Sequence, residues 1–302
     1  MGQPVFLTLV RSSGEKAGAR VLIDSIRAFG GALRDCPIWV FEANSPITPC
    51  HDLTGNGVRS IPLNVPETVR NYIFGGKVYA CAQAETLATP DVQSLAWIDP
   101  TCVVVNPPLL FALDAAFDAA VRPVHIRNVG LRATDPLDAF WQKIYAAVGV
   151  NDSASTVASF VDAQSLRAYF NTHAFAINPA KGLSRRWFDL FEKLVCDREF
   201  QARACADEPH QIFLFQAILS ALLVTSLDPQ RINLLPPTYN YPYNLHARVP
   251  AERRAKSLND LVCFTYEGRS INPSEMTDIQ IREPLKTWLA AHQEVKQDNV
   301  PV

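Results

Sequence analysis

The stretch Ser94-Leu95-Ala96-Trp97-Ile98-Asp99-Pro100-Thr101 decides the fold that we expect for this chain. The apolar run before Asp99 is typical of a buried parallel strand, so Asp99 stands at the carboxyl end of that strand. Ligands of open α/β sheets bind at this edge, and a charge held there is costly without a partner. We therefore expect Asp99 either to bind a metal or a substrate, or to cap the turn that follows it.

The segments before this strand predict a parallel sheet. Residues 5–10 form an apolar strand, after which Leu22, Ile26 and Phe29 recur at helical spacing. Residues 37–41 form a second apolar strand. A strand–helix–strand unit of this kind pairs its strands in parallel through a right-handed crossover.

The later segments continue the alternation of helices and strands. They predict, in chain order, a helix over residues 77–87, a strand at 174–177, an apolar helix over 211–223 and a strand at 261–266. We divide the chain into a main domain, residues 1–248, and a C-terminal extension, residues 249–302, packed on it.

The composition excludes several classes of protein. Of the 302 residues, 48% are hydrophobic and 19% are charged, and the net charge of −2 gives no basic excess for nucleic acid or an acidic membrane surface. We find no signal peptide and no apolar stretch approaching a membrane span of about 20 residues. The seven scattered cysteines form no C-x-x-C pair, which argues against a structural zinc site and favours reduced thiols in a cytoplasmic protein.

Four short motifs follow one another in a recognisable order. Asp99-Pro100-Thr101 ends the decisive strand, and Phe170-Asn171-Thr172-His173 opens a later one. Asp207-Glu208-Pro209-His210-Gln211 then opens an apolar helix, and Asn240 lies in a loop rich in Pro and Tyr. Over residues 5–245 this order resembles that of the GT-A glycosyltransferases, especially the glycogenin-like and related bacterial enzymes.

The resemblance implies a fold and a function. The fold is α/β, a Rossmann-like open mixed sheet of the GT-A type flanked by helices. The function is transfer of a sugar from a nucleotide-diphosphate sugar to an acceptor that the sequence does not identify. The alternative is a binding module of the same fold that has lost catalysis. A third hypothesis, a nucleotidyltransferase, lacks the glycine-rich basic first loop of such enzymes.

The resemblance also implies a cation that stabilises the leaving diphosphate. In most GT-A enzymes a divalent metal, Mn or Mg, is held by the two carboxylates of Asp-x-Asp and often by a later His. Here Asp99 and Thr101 occupy the Asp-x-Asp positions, and Phe264-Thr265-Tyr266-Glu267-Gly268 represents the later His-Tyr-x-Gly, without its His. Metal-free members of the fold class use a basic side chain instead, and the available ones here are Arg11, Lys77 and Arg127.

The same motifs give the expected site residues. Asp207 and Glu208 are the expected catalytic carboxylates, although both also suit the N-terminus of a helix. His173 replaces a Gly of the family and is expected near the sugar, and His125, which follows a strand end, is considered for the acceptor site. The residues expected to bind substrate are Val10, Arg11, Lys77, Asp99, Asn171, His173, Gln211 and Asn240.

Overall fold

The computed structural model describes residues 3–43 and 49–293. The strands in this part of the chain are β1 (Gln3–Val10), β2 (Ile38–Ala43), β3 (Val58–Leu63), β4 (Val92–Ile98), β5 (Cys102–Val104), β6 (Ala119–Pro123), β7 (Thr156–Ala158), β8 (Ser165–Arg167), β9 (Phe170–Ile177), β10 (Ile232–Leu234), β11 (Tyr241–Pro242) and β12 (Cys263–Thr265). The α-helices are α1 (Ser13–Phe29), α2 (Glu67–Arg70), α3 (Gly75–Leu87), α4 (Ala139–Val148), α5 (Leu183–Val195), α6 (Arg198–Arg203), α7 (Glu208–Ser226) and α8 (Leu285–Ala291).

Seven strands form the main sheet in the order β10-β6-β9-β4-β1-β2-β3. Strand β9 runs antiparallel to both of its neighbours, β4 and β6, whereas the other neighbouring strands pair in parallel. The predicted strand–helix–strand unit is β1-α1-β2, with Leu7 opposite Trp39. The prediction of an open mixed α/β sheet flanked by helices is confirmed.

The sheet is buried on both faces, which explains its continuous apolar strands. Successive side chains of a strand point to opposite faces, so Leu7 and Leu9 of β1 belong to one core and Phe6 to the other. Helices α3, α5 and α7 cover the first face. Helix α1 covers the second, where Leu22 and Ile26 pack near Phe6.

Helix α7 corrects one expectation from the sequence. Its 19 residues, Glu208–Ser226, are long and apolar enough to cross a membrane by length and composition, and it is the one such helix among the described residues. In its most apolar window, 61% of the residues are buried inside the protein. The helix is apolar on all sides because it lies in the core between the sheet, α4 and α5.

A second, three-stranded sheet joins the late strands β11 and β12 to β5, the strand that follows Asp99. Its order is β11-β12-β5, and β12 pairs antiparallel with β5, so that Phe264 lies opposite Val103. This late strand is shorter than the predicted 261–266. The division into a main domain and an extension stays a prediction.

Close contact between α1 and the turn after Asp99 fixes the position of that turn. Gly18 of α1 lies so near that a Cβ atom there would be 2.4 Å from the Pro100 carbonyl oxygen. We expect Gly18→Ala to lower the free energy of unfolding by about 1–3 kcal/mol, because helix and turn must separate. Urea denaturation measures this change.

Gly76→Ala in α3 is the matched control. A Cβ atom there would meet Leu9 Cδ2 at 3.5 Å, an ordinary contact, so we expect no loss and a gain of up to about 1 kcal/mol from helix propensity. Equal effects of the two substitutions would contradict the close approach at Gly18.

Candidate active site

A cavity of about 380 Å³ opens at the carboxyl ends of β1 and β4. This volume is in the range of small-molecule sites. The first turn of α1 lies on one side, where the Ser12 side chain accepts a hydrogen bond from Glu15 N at 3.2 Å and so starts the helix. The segment after β6, the start of β9 and helix α7 form the other side, and residues 244–248 and 267–268 close the rim.

Lys77 and Asp99 form a buried ion pair on the floor of this cavity. Lys77 Nζ lies 2.8 and 2.9 Å from the two carboxylate oxygens of Asp99 and donates a third hydrogen bond, of 2.7 Å, to the Thr172 carbonyl. Lys77 is only 3% exposed. The charge of the Asp99 carboxylate is therefore balanced by Lys77, and all three N–H groups of the Lys77 ammonium donate hydrogen bonds.

Aromatic rings enclose this pair. Lys77 Nζ lies 5.1 Å from the ring centroid of Trp97, 5.6 Å from that of Phe215 and 5.9 Å from that of Phe74. Trp97 Nε1 also donates to Asp99 Oδ1 at 2.7 Å. Phe74, which precedes α3, has φ 62°, an unusual backbone conformation for a phenylalanine that directs it to this site.

A second ion pair lies beside the first. His173 Nε2 is 3.5 Å from Glu267 Oε2, and His173 Nδ1 is 3.0 Å from Asn171 Oδ1. Burial favours the neutral form of both ionisable side chains, but their mutual attraction outweighs it. The pKa of His173 is raised above its ordinary 6.5, and the pKa of Glu267 is lowered below its ordinary 4.5.

His125 is the one histidine of the cavity wall without a side-chain partner among the described residues. It is 6% exposed, and neither ring nitrogen makes a hydrogen bond there. Its ring stacks on that of His173 at a centroid distance of 6.4 Å. Burial, with the nearby charges of Arg122 and His173, lowers the pKa of His125 well below 6.5, so the ring is neutral. A buried ring with two free nitrogens is a place for a polar ligand.

Arg122 supports the site from behind without lining it. Its buried guanidinium donates to the carbonyls of Pro237, Tyr239 and Asn240 and lies 4.4 Å from the centroid of the Phe160 ring. These bonds hold the loop in which Asn240 has φ 49° and donates to Asn171 Oδ1 at 2.6 Å. Asn171 in turn accepts from His173 N at 2.8 Å, which fixes the histidine.

The donor set does not fit a divalent metal. Asp99 is already neutralised by Lys77, and Thr101, in the place of the second carboxylate, offers only a hydroxyl. Thr265, where the resemblance expects the later His, also offers a hydroxyl, and its Oγ1 lies 3.5 Å from Thr101 Oγ1. Within the described parts of the chain, no group of three His, Cys, Asp or Glu side chains could hold a metal ion. One neutralised carboxylate and two hydroxyls are a poor set of ligands for Mn or Mg.

The structure brings together seven of the site residues considered from the sequence and leaves the others outside the cavity lining. The seven are Arg11, Lys77, Asp99, Thr101, His125, Asn171 and His173. Val10 is buried in the core next to the cavity, and Asn240 reaches it only through Asn171. Arg127 and Gln211 do not line it either, and Gln216, further along α7, does.

Asp207 and Glu208 lie outside this lining. The Asp207 side chain caps α7 by accepting from His210 N at 2.9 Å, and 60% of it is exposed. Glu208 is exposed in the first turn of the helix, where acidic charge is favourable. Both residues thus stand where acidic side chains favour the N-terminus of a helix, the alternative that the sequence also offered. Their catalytic role stays a prediction.

Sequence reasoning assigned no role to Glu267 and Arg248, and both line the cavity. Glu267 lies within the motif Phe264–Gly268, but only the fold brings it to His173. Arg248 follows the stretch rich in Pro and Tyr, residues 236–244, and neither periodicity nor a motif marks it. The motif Phe264–Gly268 is thus a weak signal for Glu267, and no signal in the sequence identifies Arg248.

Comparison with known proteins identifies a family. The model of a family described as the Rhodobacterales glycosyltransferase domain matches residues 10–225, well over half of the chain. No curated protein sequence matches the chain.

Two similar solved structures agree with the fold. A crystal structure of the galactosyltransferase LgtC with donor and acceptor sugar analogs superposes with a TM-score of 0.56 at 16% identity, covering 96% of each chain. The apo structure of the bifunctional glycosyltransferase WbbM gives 0.51 at 12% identity, covering 97% of this chain and 52% of that one. At these identities the likeness concerns the fold, and it confirms the GT-A type.

The buried ion pair predicts a large loss of stability when only one partner is removed. We expect Lys77→Met to lower the free energy of unfolding by about 3–5 kcal/mol, because Asp99 stays in the cavity floor without its cation. The double variant Lys77→Met with Asp99→Asn should lose less than the sum of the two single variants. Urea denaturation of the three variants measures the coupling.

The exposed pair Arg203–Glu199, with Nη1 3.0 Å from Oε1, provides the control. Arg203→Met should cost only about 0–1 kcal/mol, because its charges are largely solvated. If Lys77→Met lowered the free energy of unfolding by no more than Arg203→Met, the pair Lys77–Asp99 would not be the stabilising interaction described above.

The pair His173–Glu267 predicts a pH window. Because the pKa of His173 is raised, its contribution to stability is complete below pH 6.5 and is lost as the pH rises through the folded pKa. Because the pKa of Glu267 is lowered, its contribution is complete above pH 4.5 and is lost as the pH falls through the folded pKa. The stability difference between wild type and Glu267→Gln should therefore be largest between pH 4.5 and 6.5. A difference that does not vary with pH, measured by urea denaturation, would contradict the pairing.

Proposed function

Because the chain belongs to the Rhodobacterales glycosyltransferase domain family, we propose that its cavity binds a nucleotide-diphosphate sugar and transfers the sugar to an acceptor hydroxyl. The observation that carries the proposal is the cavity at the carboxyl ends of β1 and β4. Open α/β sheets bind ligands at this edge. The donor then lies along the first turn of α1 and the floor pair, with its diphosphate towards the basic side chains of the rim.

The acceptor side of the cavity is assigned to His125. A sugar hydroxyl can both donate and accept a hydrogen bond, and a neutral imidazole offers one nitrogen for each role. Val124 and Ile126 flank His125 on the cavity wall, and Phe213 of α7 gives an apolar surface in the same cavity. A wall that is mainly apolar with few polar groups suits a sugar ring oriented by its hydroxyls.

The reaction breaks one bond and forms one. The bond between the anomeric carbon and the diphosphate oxygen breaks, and its electron pair stays on the diphosphate. The acceptor oxygen forms the new bond to that carbon and its proton passes to water, while His125 orients the acceptor hydroxyl. Lys77 keeps Asp99 in place, and Asn171 and Glu267 hold His173 on the same side of the cavity.

A panel of sugar nucleotides tests this proposal. We expect wild-type protein to bind at least one of UDP-, GDP-, ADP- or TDP-glucose in calorimetry and to release free sugar from it slowly, with water as the acceptor. Absence of binding throughout the panel, with or without Mn, would overturn the proposal. Binding without any release of sugar would instead support the alternative, a non-catalytic binding module.

The variant His125→Ala tests whether His125 acts on the acceptor or on the donor. Because His125 is assigned to the attacking hydroxyl, the variant should lower kcat for sugar release by at least about tenfold while KM for the donor stays within about twofold. His51→Ala, at an exposed histidine outside the cavity lining, is the control and should change neither constant. A change in donor KM alone would remove His125 from the acceptor side.

A further inference from the structure

The acidic side chains that line the cavity all have a cation of the protein beside them. Arg11 forms a bidentate pair with Glu15, Lys77 binds both oxygens of Asp99, and His173 lies against Glu267. The charges of Arg11 and Lys77 are balanced by Glu15 and Asp99, and the N–H groups of Lys77 are fully used by Asp99 and the Thr172 carbonyl. Lys77 therefore has no N–H group left for a diphosphate, and the charge of Arg11 is already compensated by Glu15.

Arg248 is the exception on the cavity wall. It ends the 3₁₀ helix Tyr243–Arg248, is exposed, and makes no side-chain hydrogen bond or ion pair with residues 3–43 or 49–293. Other arginines nearby are held in place. Arg253 and Arg254 donate to backbone carbonyls, and Arg269 binds Asp278. Among the described residues that line the cavity, the guanidinium of Arg248 is thus the positive charge with no acidic partner.

We propose that Arg248 binds the diphosphate of the donor and supplies the positive charge that a divalent metal would otherwise supply, so that the protein needs no metal. This inference rests on the proposed function. A guanidinium stays charged at every working pH, and its planar N–H groups match two phosphate oxygens at once. A second observation, independent of Arg248, supports the absence of a metal. The hydroxyls of Thr101 and Thr265 lie against each other at the positions where the resemblance expects metal ligands.

Calorimetry with nucleoside diphosphates tests the inference. The probes are UDP, GDP, ADP and TDP, each titrated into wild-type protein in EDTA and again in MnCl₂. We expect the probe that binds to have the same Kd, within about twofold, in both solutions. Arg248→Ala should weaken its binding by about 10- to 100-fold, as expected for hydrogen bonds to a charged group, and Arg248→Lys should restore part of the loss.

The corresponding nucleoside and Arg198→Ala are the controls. The nucleoside lacks the diphosphate, so its weaker binding should be the same in wild type and Arg248→Ala. Arg198 is an exposed arginine of α6 outside the cavity, also without a partner among the described residues, and its removal should leave the Kd unchanged. Thermal denaturation of Arg248→Ala should match wild type, since the exposed side chain makes no hydrogen bond or ion pair with the described residues.

Each failure has its own meaning. If Mn tightens binding by about tenfold or more, or if Arg248→Ala binds the diphosphate as wild type does, the inference is wrong while the proposed function stands. If none of the four probes binds wild type in either solution, the proposed function is wrong and the inference falls with it.

Discussion

The ion pair between Lys77 and Asp99 is the interaction on which the architecture of the cavity depends. It joins three elements, because Lys77 comes from α3, Asp99 follows β4, and the third hydrogen bond goes to Thr172 of β9. The backbone around it continues the connection: Asp99 N donates to the His173 carbonyl, and Cys102 N donates to the Asp99 carbonyl. A charge removed from water is tolerated only with such a partner, so this pair determines where the β4 turn and His173 lie.

Because the charges of Lys77 and Asp99 cancel on the cavity floor, a charged ligand must be bound by side chains at the rim. Because Lys77 and Asp99 cancel, and because Glu15 and Glu267 are also paired, a negatively charged ligand meets no uncompensated carboxylate in the cavity. In the proposed function, polar ligands without charge are assigned to His125, a buried ring whose nitrogens make no hydrogen bond with the described residues. The proposals thus assign hydroxyl binding to the wall beside β6 and anion binding to the exposed end of the 3₁₀ helix.

The sequence predicted what depends on pattern and missed what depends on orientation. The run before Asp99 predicted a buried strand correctly, and the order of motifs placed Lys77, Asp99, Asn171 and His173 in one cavity. It could not pair Lys77 with Asp99, because residues 22 positions apart meet only through the fold. Helix α7 shows the other difficulty: a helix that is apolar all round has no pattern to indicate which face lines the cavity, so Gln211 was expected where Gln216 lies.

The loss of metal ligands and the exposure of Arg248 are parts of one electrostatic arrangement. A divalent ion needs several oxygen ligands that carry negative charge, and those carboxylates would oppose an incoming diphosphate whenever the ion was absent. Hydroxyls at Thr101 and Thr265 remove that repulsion, and Lys77 removes the charge of Asp99. In the arrangement that we propose, a single arginine that needs no ligands of its own attracts the anion. Water screens this exposed arginine in the free protein, so its attraction would strengthen only as a bound anion displaces the water.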